Sequence, residues 1–235
     1  MLVNDDLLRH DKCKYIYELA DYCAGQGLGI RDDSICDEGH AVKSASYDTL
    51  SDPRVFDRFN DKFPVDIELC HAESMPEDTW RQGYPAMESF RRVKATYAGF
   101  HDYPLKFYEK NYALCEYAAN RLGYWFRPDS LDISREGGEL TVTNLGWAPS
   151  YRDFEMRLTL ECENGELIDC GRIAGSKDWH EGASFTESFS FKMPLPSGAF
   201  GVKLGLFDTD GAPIKMALKS ELFDGKYYNV GKIEL

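Results

Sequence analysis

Residues 123–160 read GYWFRPDSLDISREGGELTVTNLGWAPSYRDFEMRLTL, and the periodicity of the chain changes within them. The helical pattern PLKFYEKNYALCEYAANRL ends at Gly123, and glycine is common just past a helix end because it adopts a positive φ without steric cost. Apolar and polar residues then alternate with a period of two, as half-buried antiparallel strands require. The apolar members are Leu131, Ile133, Leu140, Val142, Met156, Leu158 and Leu160. The stretch therefore predicts a domain boundary at Gly123.

The part of the chain that follows this boundary has the pattern of an all-β domain. Asn164-Gly165, Asp210-Gly211 and Asp224-Gly225 are turn signals between apolar runs. We expect residues 123–235 to form an antiparallel, immunoglobulin/fibronectin-like β-sandwich. Its strands are predicted near 124–127, 130–135, 138–144, 154–162, 166–171, 185–193, 199–208, 213–218 and 227–234.

The part before the boundary alternates short apolar runs with helical patterns, which is typical of βα units and a parallel sheet. Its predicted strands are Met1–Val3, Leu28–Ile30, Val65–Leu69 and Lys94–Ala98. The predicted fold class is therefore α/β plus all-β, with residues 1–122 as a partial (β/α) TIM-like barrel of about four final βα units. An independent small α/β layer is the alternative. A half-barrel would expose two sheet edges, so we expect a missing N-terminal half-barrel or a homo-oligomer.

The composition narrows the classes of partner and location. A formal net charge of -13 disfavours nucleic acid and anionic membrane surfaces, which attract basic patches, but it is compatible with a neutral carbohydrate. The seven cysteines have no zinc-ligand spacing, so we expect no metal or cofactor and mostly buried, reduced thiols, with a Cys162–Cys170 bridge as an open alternative. Free cysteines and the absence of a visible signal peptide favour a cytoplasmic location.

Ligands of parallel α/β sheets bind beyond the carboxyl ends of the strands. At these predicted ends the chain carries carboxylates interspersed with His, Tyr and Trp, a lining suited to polyhydroxylated ligands. The candidate substrate-binding residues are Arg31, Asp32, Asp33, His71, Trp80, Tyr97 and His101.

Glu68 is the candidate catalytic residue. It lies within an otherwise apolar strand, where an unpaired ionised carboxylate would be costly, and such a group can serve in glycoside hydrolysis. The alternative is that Glu68 pairs with Arg31 or another cation across adjacent strands.

Three segments carry a resemblance to a known family. GYWFRPDSLDI, TVTNLGWAPSYRDFEMRLTL and the closing YYNVGKIEL resemble the C-terminal part of bacterial proteins of domain of unknown function family 4832. GLGIRDDSI and PVDIELC resemble the late barrel strands of the same proteins. These proteins look like glycoside hydrolases with a (β/α)8 barrel followed by a β-sandwich. The resemblance implies that PVDIELC is strand seven and that Glu68 occupies the nucleophile position.

The functional expectation follows from this resemblance. We expect the C-terminal portion of a glycoside-hydrolase-like protein that acts on or binds carbohydrate and is inactive as an isolated chain, because the partner carboxylate is absent. It would be an enzyme if the complete barrel were present. The alternative is a non-catalytic carbohydrate-binding or structural module, with Trp147 or Trp179 as sugar contacts. For Trp147 a packing role is also expected, because Gly146-Trp147-Ala148-Pro149 has the pattern of a rigid bend between strands.

Overall fold

The computed structural model of the chain describes residues 2–3, 15–35, 53–69, 84–100 and 103–235. Two compact units are present: Met1–Tyr124 with Gly146–Tyr151, and Trp125–Leu145 with Arg152–Leu235. Strands contain 39% of the described residues and helices contain 22%, so the fold is mainly β.

The first unit contains a four-stranded parallel sheet and the five α-helices of the described chain. The strands pair in the order β1 (Leu2–Val3), β2 (Ile30–Ile35), β3 (Val65–Leu69) and β4 (Tyr97–Phe100). The helices are α1 (Ile16–Gly25), α2 (Pro53–Phe56), α3 (Tyr84–Arg92), α4 (Leu105–Lys110) and α5 (Tyr112–Ala119).

The two faces of this sheet differ in polarity because side chains alternate along each strand. Ile30, Val65 and Ile67 are buried on one face. They join a hydrophobic core with residues of the helical segments, among them Ala20, Cys23, Val55, Phe56, Phe59 and Phe90. The opposite face carries Arg31 and, in register with it, Asp66.

The predicted partial TIM-like barrel is wrong. The described residues lie mostly in three small sheets, with five short helices, and they form no barrel of alternating βα units. Within the described residues β4 does not pair with β1, so the parallel sheet stays open. Alternation of apolar runs with helical patterns is common to open parallel sheets and to barrels. It contains no information on closure, which requires matched strand number and tilt.

A polar chain joins three segments of the first unit. The backbone N–H of Val65 donates to Thr96 Oγ1 (3.3 Å), and Thr96 Oγ1 donates to the hydroxyl of Tyr151 (3.3 Å). The Tyr151 hydroxyl donates to the carbonyl oxygen of Asn60 (3.1 Å). These hydrogen bonds attach residues 146–151 to the rest of the first unit, although in the sequence these residues separate the two parts of the second unit.

The second unit is built from antiparallel strands in two sheets. One sheet has the order β5 (Phe126–Ile133), β6 (Gly137–Asn144), β9 (Ser184–Ser190). In the other, β10 (Ala199–Phe207) pairs with β7 (Glu155–Cys162) on one side and with β11 (Pro213–Ile214) and β12 (Tyr228–Glu234) on the other. The strand β8 (Leu167–Gly175) pairs with β7.

Burial alternates along strand β6 of the three-stranded sheet. Leu140 and Val142 of β6 are buried, whereas Thr141 and Thr143 between them are half-buried. Phe126 lies with its ring centroid 5.1 Å from that of Trp179 and 6.4 Å from that of Phe154. This β-rich unit is consistent with the predicted β-sandwich. The immunoglobulin/fibronectin-like assignment stays a prediction.

The cysteines of the described chain are thiols. Cys23, Cys115, Cys162 and Cys170 are all free. Burial raises the pKa of the Cys170 thiol to about 11. Cys162 and Cys170 therefore form no bridge, and Cys170 is protonated at neutral pH.

Candidate functional site

The candidate site is the polar face of the parallel sheet, defined here by Arg31, Asp66, Glu68 and Tyr97. Arg31 belongs to β2, Asp66 and Glu68 to β3, and Tyr97 to β4. The register pairs Arg31 with Asp66, and Asp66 with Tyr97. Residues paired in this way in a parallel sheet point to the same side, so the four side chains share one face.

Arg31 holds both carboxylates of this face. Its Nη1 donates to Asp66 Oδ2 (2.6 Å), and its Nη2 donates to Glu68 Oε2. The three side chains keep 26%, 22% and 18% of their surface exposed, so they are partly buried. The alternative in which Glu68 pairs with Arg31 across adjacent strands is confirmed. The catalytic role of Glu68 stays a prediction.

Tyr97 adds an exposed aromatic ring to the polar face. It is 60% exposed and lies in register with Asp66. Next along β4, Gly99 is in register with Glu68, and a Cβ at Gly99 would lie 3.6 Å from Glu68 Cγ. The glutamate side chain therefore extends over a position that has no side chain of its own.

Asp32 does not join this face. It is 1% exposed and lies on the opposite, apolar side of the sheet, because it is the neighbour of Arg31 within one strand. Arg31, Asp32 and Asp33 were predicted to follow a strand that ends at Ile30, whereas β2 runs from Ile30 to Ile35. Alternation within the strand separates neighbours that a loop could have brought together.

The remaining predicted site residues are Asp33, His71, Trp80 and His101. The backbone of Asp33 lies in β2, but its side chain is outside the described part of the structure. His71, Trp80 and His101 lie outside the described residues.

Asp66 is the member of the polar face that the sequence analysis missed. It precedes Glu68 by two residues in a strand, and the two-residue period alone places both carboxylates on the same side. Asp66 was not predicted because it lies inside the strand and not at its carboxyl end.

The two tryptophans considered as sugar contacts are core residues. Trp147 is 7% exposed and lies 6.2 Å from Phe90 and 6.0 Å from Tyr117 between ring centroids, in the first unit. Trp179 is 2% exposed in the second unit, and its Nε1 donates to Glu187 Oε1 (3.0 Å). Neither indole is available to stack on a sugar.

The described part of the chain has neither a metal-binding cluster nor a membrane-spanning helix. No group of three or more His, Cys, Asp or Glu side chains is arranged there to hold a metal ion. None of the helices in that part has the length and apolar character needed to cross a membrane.

Comparison with known protein families and with curated proteins finds no match for this chain. The resemblance to domain of unknown function family 4832 therefore stays a prediction.

Proposed function

We propose that this chain is a non-catalytic module that binds a neutral carbohydrate on the polar face of the parallel sheet. The observation that supports it is the register of Tyr97 with Asp66, which sets an exposed aromatic ring beside an Arg–carboxylate pair. An aromatic ring can pack on the apolar side of a sugar ring, while guanidinium and carboxylate groups hydrogen-bond its hydroxyls. The resemblance to glycoside-hydrolase-like proteins adds the same ligand class.

One carboxylate oxygen of Asp66 is oriented to accept a hydrogen bond from a ligand hydroxyl. Asp66 uses Oδ2 for Arg31, and within the described residues its Oδ1 accepts no hydrogen bond. A carboxylate oxygen held in place by a guanidinium on the other oxygen is an oriented acceptor for a ligand hydroxyl. Because Arg31 already fixes the Asp66 side chain, ligand binding costs little additional side-chain entropy at this residue.

The surroundings of the two carboxylates support binding over hydrolysis. Glycosidases assign an acid role and a nucleophile or base role to two carboxyl groups whose environments differ. Here Asp66 and Glu68 both bind the guanidinium of Arg31 and lie at similar exposure. A cation that is shared by both carboxylates holds them in fixed positions, which suits the binding of ligand hydroxyls.

The proposal is tested with soluble neutral polysaccharides in affinity electrophoresis, followed by calorimetry on any glycan that retards the chain. The wild-type protein is expected to be retarded by at least one glycan. Tyr97→Ala is expected to weaken binding about tenfold, the size of one aromatic stacking contact. Tyr112→Ala is the matched control, because Tyr112 is similarly exposed, at 65%, but belongs to α5 and not to the sheet. It should bind as the wild type does.

Three outcomes would contradict the proposal. The first is that no glycan retards the wild-type protein. The second is that Tyr97→Ala and Tyr112→Ala bind alike. The third is turnover of a glycoside that disappears in Glu68→Gln, which would support a hydrolase in place of a binding module.

A further inference from the structure

Strand β9 lies at the edge of the three-stranded sheet, and its seven residues Ser184–Ser190 pair with β6 without a register shift. The backbone N–H of Asn144 donates to the carbonyl of Ala183, and that of Phe191 donates to the carbonyl of Glu136. Hydrogen bonding alternates along an antiparallel ladder, so the odd-numbered residues of β9 bond to β6 and the even-numbered ones turn their N–H and C=O groups outward. Within the described chain, no other strand pairs with these outward groups.

The other edge strands of the second unit carry features that discourage pairing with a further strand. Strand β5 contains Pro128 and a register shift, β8 has two register shifts against β7, and β11 is only two residues long. Strand β12 carries Lys232 and a register shift against β10. Proline, lysine, irregular pairing and short length are common means of protecting a sheet edge. Strand β9 has none of these four features in its described residues, so its edge is open to strand addition.

The sequence of β9 is chemically symmetric about Glu187. Read from either end, SFTESFS presents a serine, a phenylalanine, a hydroxyl residue and then the glutamate. A two-fold axis at Glu187 would place Phe185 opposite Phe189 of a second copy. It would also place Thr186 opposite Ser188. An interface with two-fold symmetry uses the same patch of both copies, and it therefore requires this kind of self-complementarity.

We propose that β9 of one copy pairs antiparallel with β9 of a second copy, which joins the two three-stranded sheets into one continuous sheet. In this register the outward backbone groups of Thr186 meet those of Ser188, so the two residues form a hydrogen-bonded pair. Phe185 and Phe189 then form a non-hydrogen-bonded pair, in which side chains approach most closely. The pairing lies in the second unit and does not depend on the proposed carbohydrate-binding face.

The two phenylalanines of β9 are positioned to gain from this pairing. Phe185 is in register with Val142, so both point to the core side of the sheet. Val142 is buried, whereas Phe185 and Phe189 are only half-buried at the edge. A further strand would cover more of both rings, and aromatic pairs across strands stabilise antiparallel pairing.

Hydroxyl pairs already cross the opposite face of the sheet. Thr141 Oγ1 and Thr186 Oγ1 lie 3.0 Å apart, and the hydroxyls of Thr143 and Ser184 lie 2.6 Å apart. Ser188 of a second copy would continue the first of these rows beyond Thr186. Hydroxyl pairs of this kind stabilise neighbouring strands.

Glu187 limits the affinity of the pairing. The two-fold axis places the Glu187 side chains of the two copies opposite each other, and like charges in that position weaken strand pairing. The net charge of -13 on each copy adds a repulsion that salt screens. Because the interface is also small, we expect a dissociation constant in the micromolar range at physiological ionic strength.

Sedimentation velocity of the full chain over a range of concentrations tests the pairing. The wild-type protein is expected to shift from monomer to dimer. Glu187→Gln removes the opposed charges and should lower the dissociation constant about two- to fivefold. Ser188→Lys places a lysine on the exposed edge of both copies and should raise the constant about tenfold or more. Ser197→Lys is the matched control, because Ser197 is exposed outside β9, and it should dimerise at least as well as the wild type.

Cysteine cross-linking tests the register. Residues opposite each other in a non-hydrogen-bonded pair have Cα atoms about 4.5 Å apart, which is within the range of a disulfide. Glu187→Cys should therefore form a covalent dimer under mild oxidation. Ser197→Cys should cross-link no more than the wild type, whose own cysteines set the background. Circular dichroism confirms that each variant is folded.

Three results would overturn the proposal. The first is a wild-type chain that stays monomeric at every concentration, whether or not its β9 edge then binds an extended peptide. The second is that Ser188→Lys dimerises as well as Ser197→Lys, which would place the interface elsewhere. The third is that Glu187→Cys cross-links no more than Ser197→Cys.

Discussion

Gly146 lies so close to Gly123 that a Cβ on Gly146 would stand 2.2 Å from the Gly123 carbonyl oxygen. Two backbone hydrogen bonds keep Gly146 close to Gly123. The backbone N–H of Ala148 donates to the same oxygen (2.9 Å), and that of Trp147 donates to the carbonyl of Arg121 (2.7 Å). Gly146–Tyr151, which interrupts the second unit in sequence, therefore joins the first unit through backbone contacts that only a glycine permits.

Replacing Gly146 with alanine should destabilise the first unit. The new methyl group would overlap backbone atoms, which cannot rotate away as a side chain could, so we expect a loss of about 1–3 kcal/mol in the free energy of unfolding. Urea unfolding followed by circular dichroism measures this. Gly25→Ala is the control, because a Cβ there meets nothing within 4 Å. That variant should be neutral or slightly more stable. Equal stability of the two variants would contradict the close approach.

Tyr151→Phe should remove one link of the polar chain in the first unit. The hydroxyl donates to the Asn60 carbonyl and accepts from Thr96, so its loss leaves both groups short of a partner. We expect a cost of about 1–2 kcal/mol in urea unfolding. Tyr112→Phe removes a hydroxyl from an exposed ring and should cost nothing measurable. A silent Tyr151→Phe would mean that solvent satisfies both partners.

The strands of the second unit could be predicted from sequence because alternation and turn residues agree there. Predicted strands at 154–162 and 199–208 correspond to β7 and β10. Gly165, Gly211 and Gly225 have the positive φ values, 81°, 84° and 101°, that their turns need. The break predicted at residues 128 and 129 is wrong. Strand β5 continues through it with a register shift between Pro128 and Ser130, because proline cannot donate a backbone hydrogen bond to the ladder.

The first unit could be predicted less well. Local sequence pattern does not tell whether a parallel sheet closes, so the barrel prediction failed. The polar face was found only in part: Arg31, Glu68 and Tyr97 were named, but Asp32 belongs to the apolar side and Asp66 was missed. Asp32 was misplaced because β2 continues five residues beyond the predicted end at Ile30, whereas Asp66 was missed because it lies inside a correctly predicted strand and not at its end.

The ion pair between Arg31 and Glu68 should contribute measurably but modestly to stability. Both side chains are about one-quarter exposed or less, so solvent screens them only partly. A double-mutant cycle of Arg31→Met and Glu68→Gln in urea unfolding is expected to give a coupling free energy of about 0.5–1 kcal/mol. Asp66 would keep a partner only in the Glu68→Gln variant, so Arg31→Met should be the more destabilising single change. The reverse order would show that Asp66 does not depend on Arg31.

The pair of Asp57 and Arg92 predicts a defined pH dependence. Hydrogen bonds from Arg92 Nη1 (2.7 Å) and Nη2 (3.0 Å) hold the pKa of Asp57 below its ordinary value of 3.8. Because the pKa is lowered in the folded state, the stabilisation is fully present above 3.8 and is lost as the pH falls through the lower folded value. Asp57→Asn should therefore cost about 0.5 kcal/mol at pH 7 and nothing near pH 2, in urea unfolding at each pH.

Arg92→Gln should remove the same increment as Asp57→Asn, and the double variant should be no worse than either single one. An Asp57→Asn effect that persists at pH 2 would instead indicate lost packing, which does not titrate.

Trp179 should stabilise the fold of the second unit and should not contact a ligand. Its indole is 2% exposed, packs against Phe126 and donates to Glu187, while its carbonyl accepts from the buried Asn144 Nδ2 (3.3 Å). Trp179→Ala would leave a large cavity, at an expected cost of about 3–5 kcal/mol, whereas Trp179→Phe keeps most of the volume and should cost less than half of that. Urea unfolding with near-ultraviolet circular dichroism separates the two variants. If Trp179→Ala instead keeps the wild-type stability and loses affinity for a glycan, the indole contacts the sugar. The sugar would then bind to the second unit and not to the polar face of the parallel sheet.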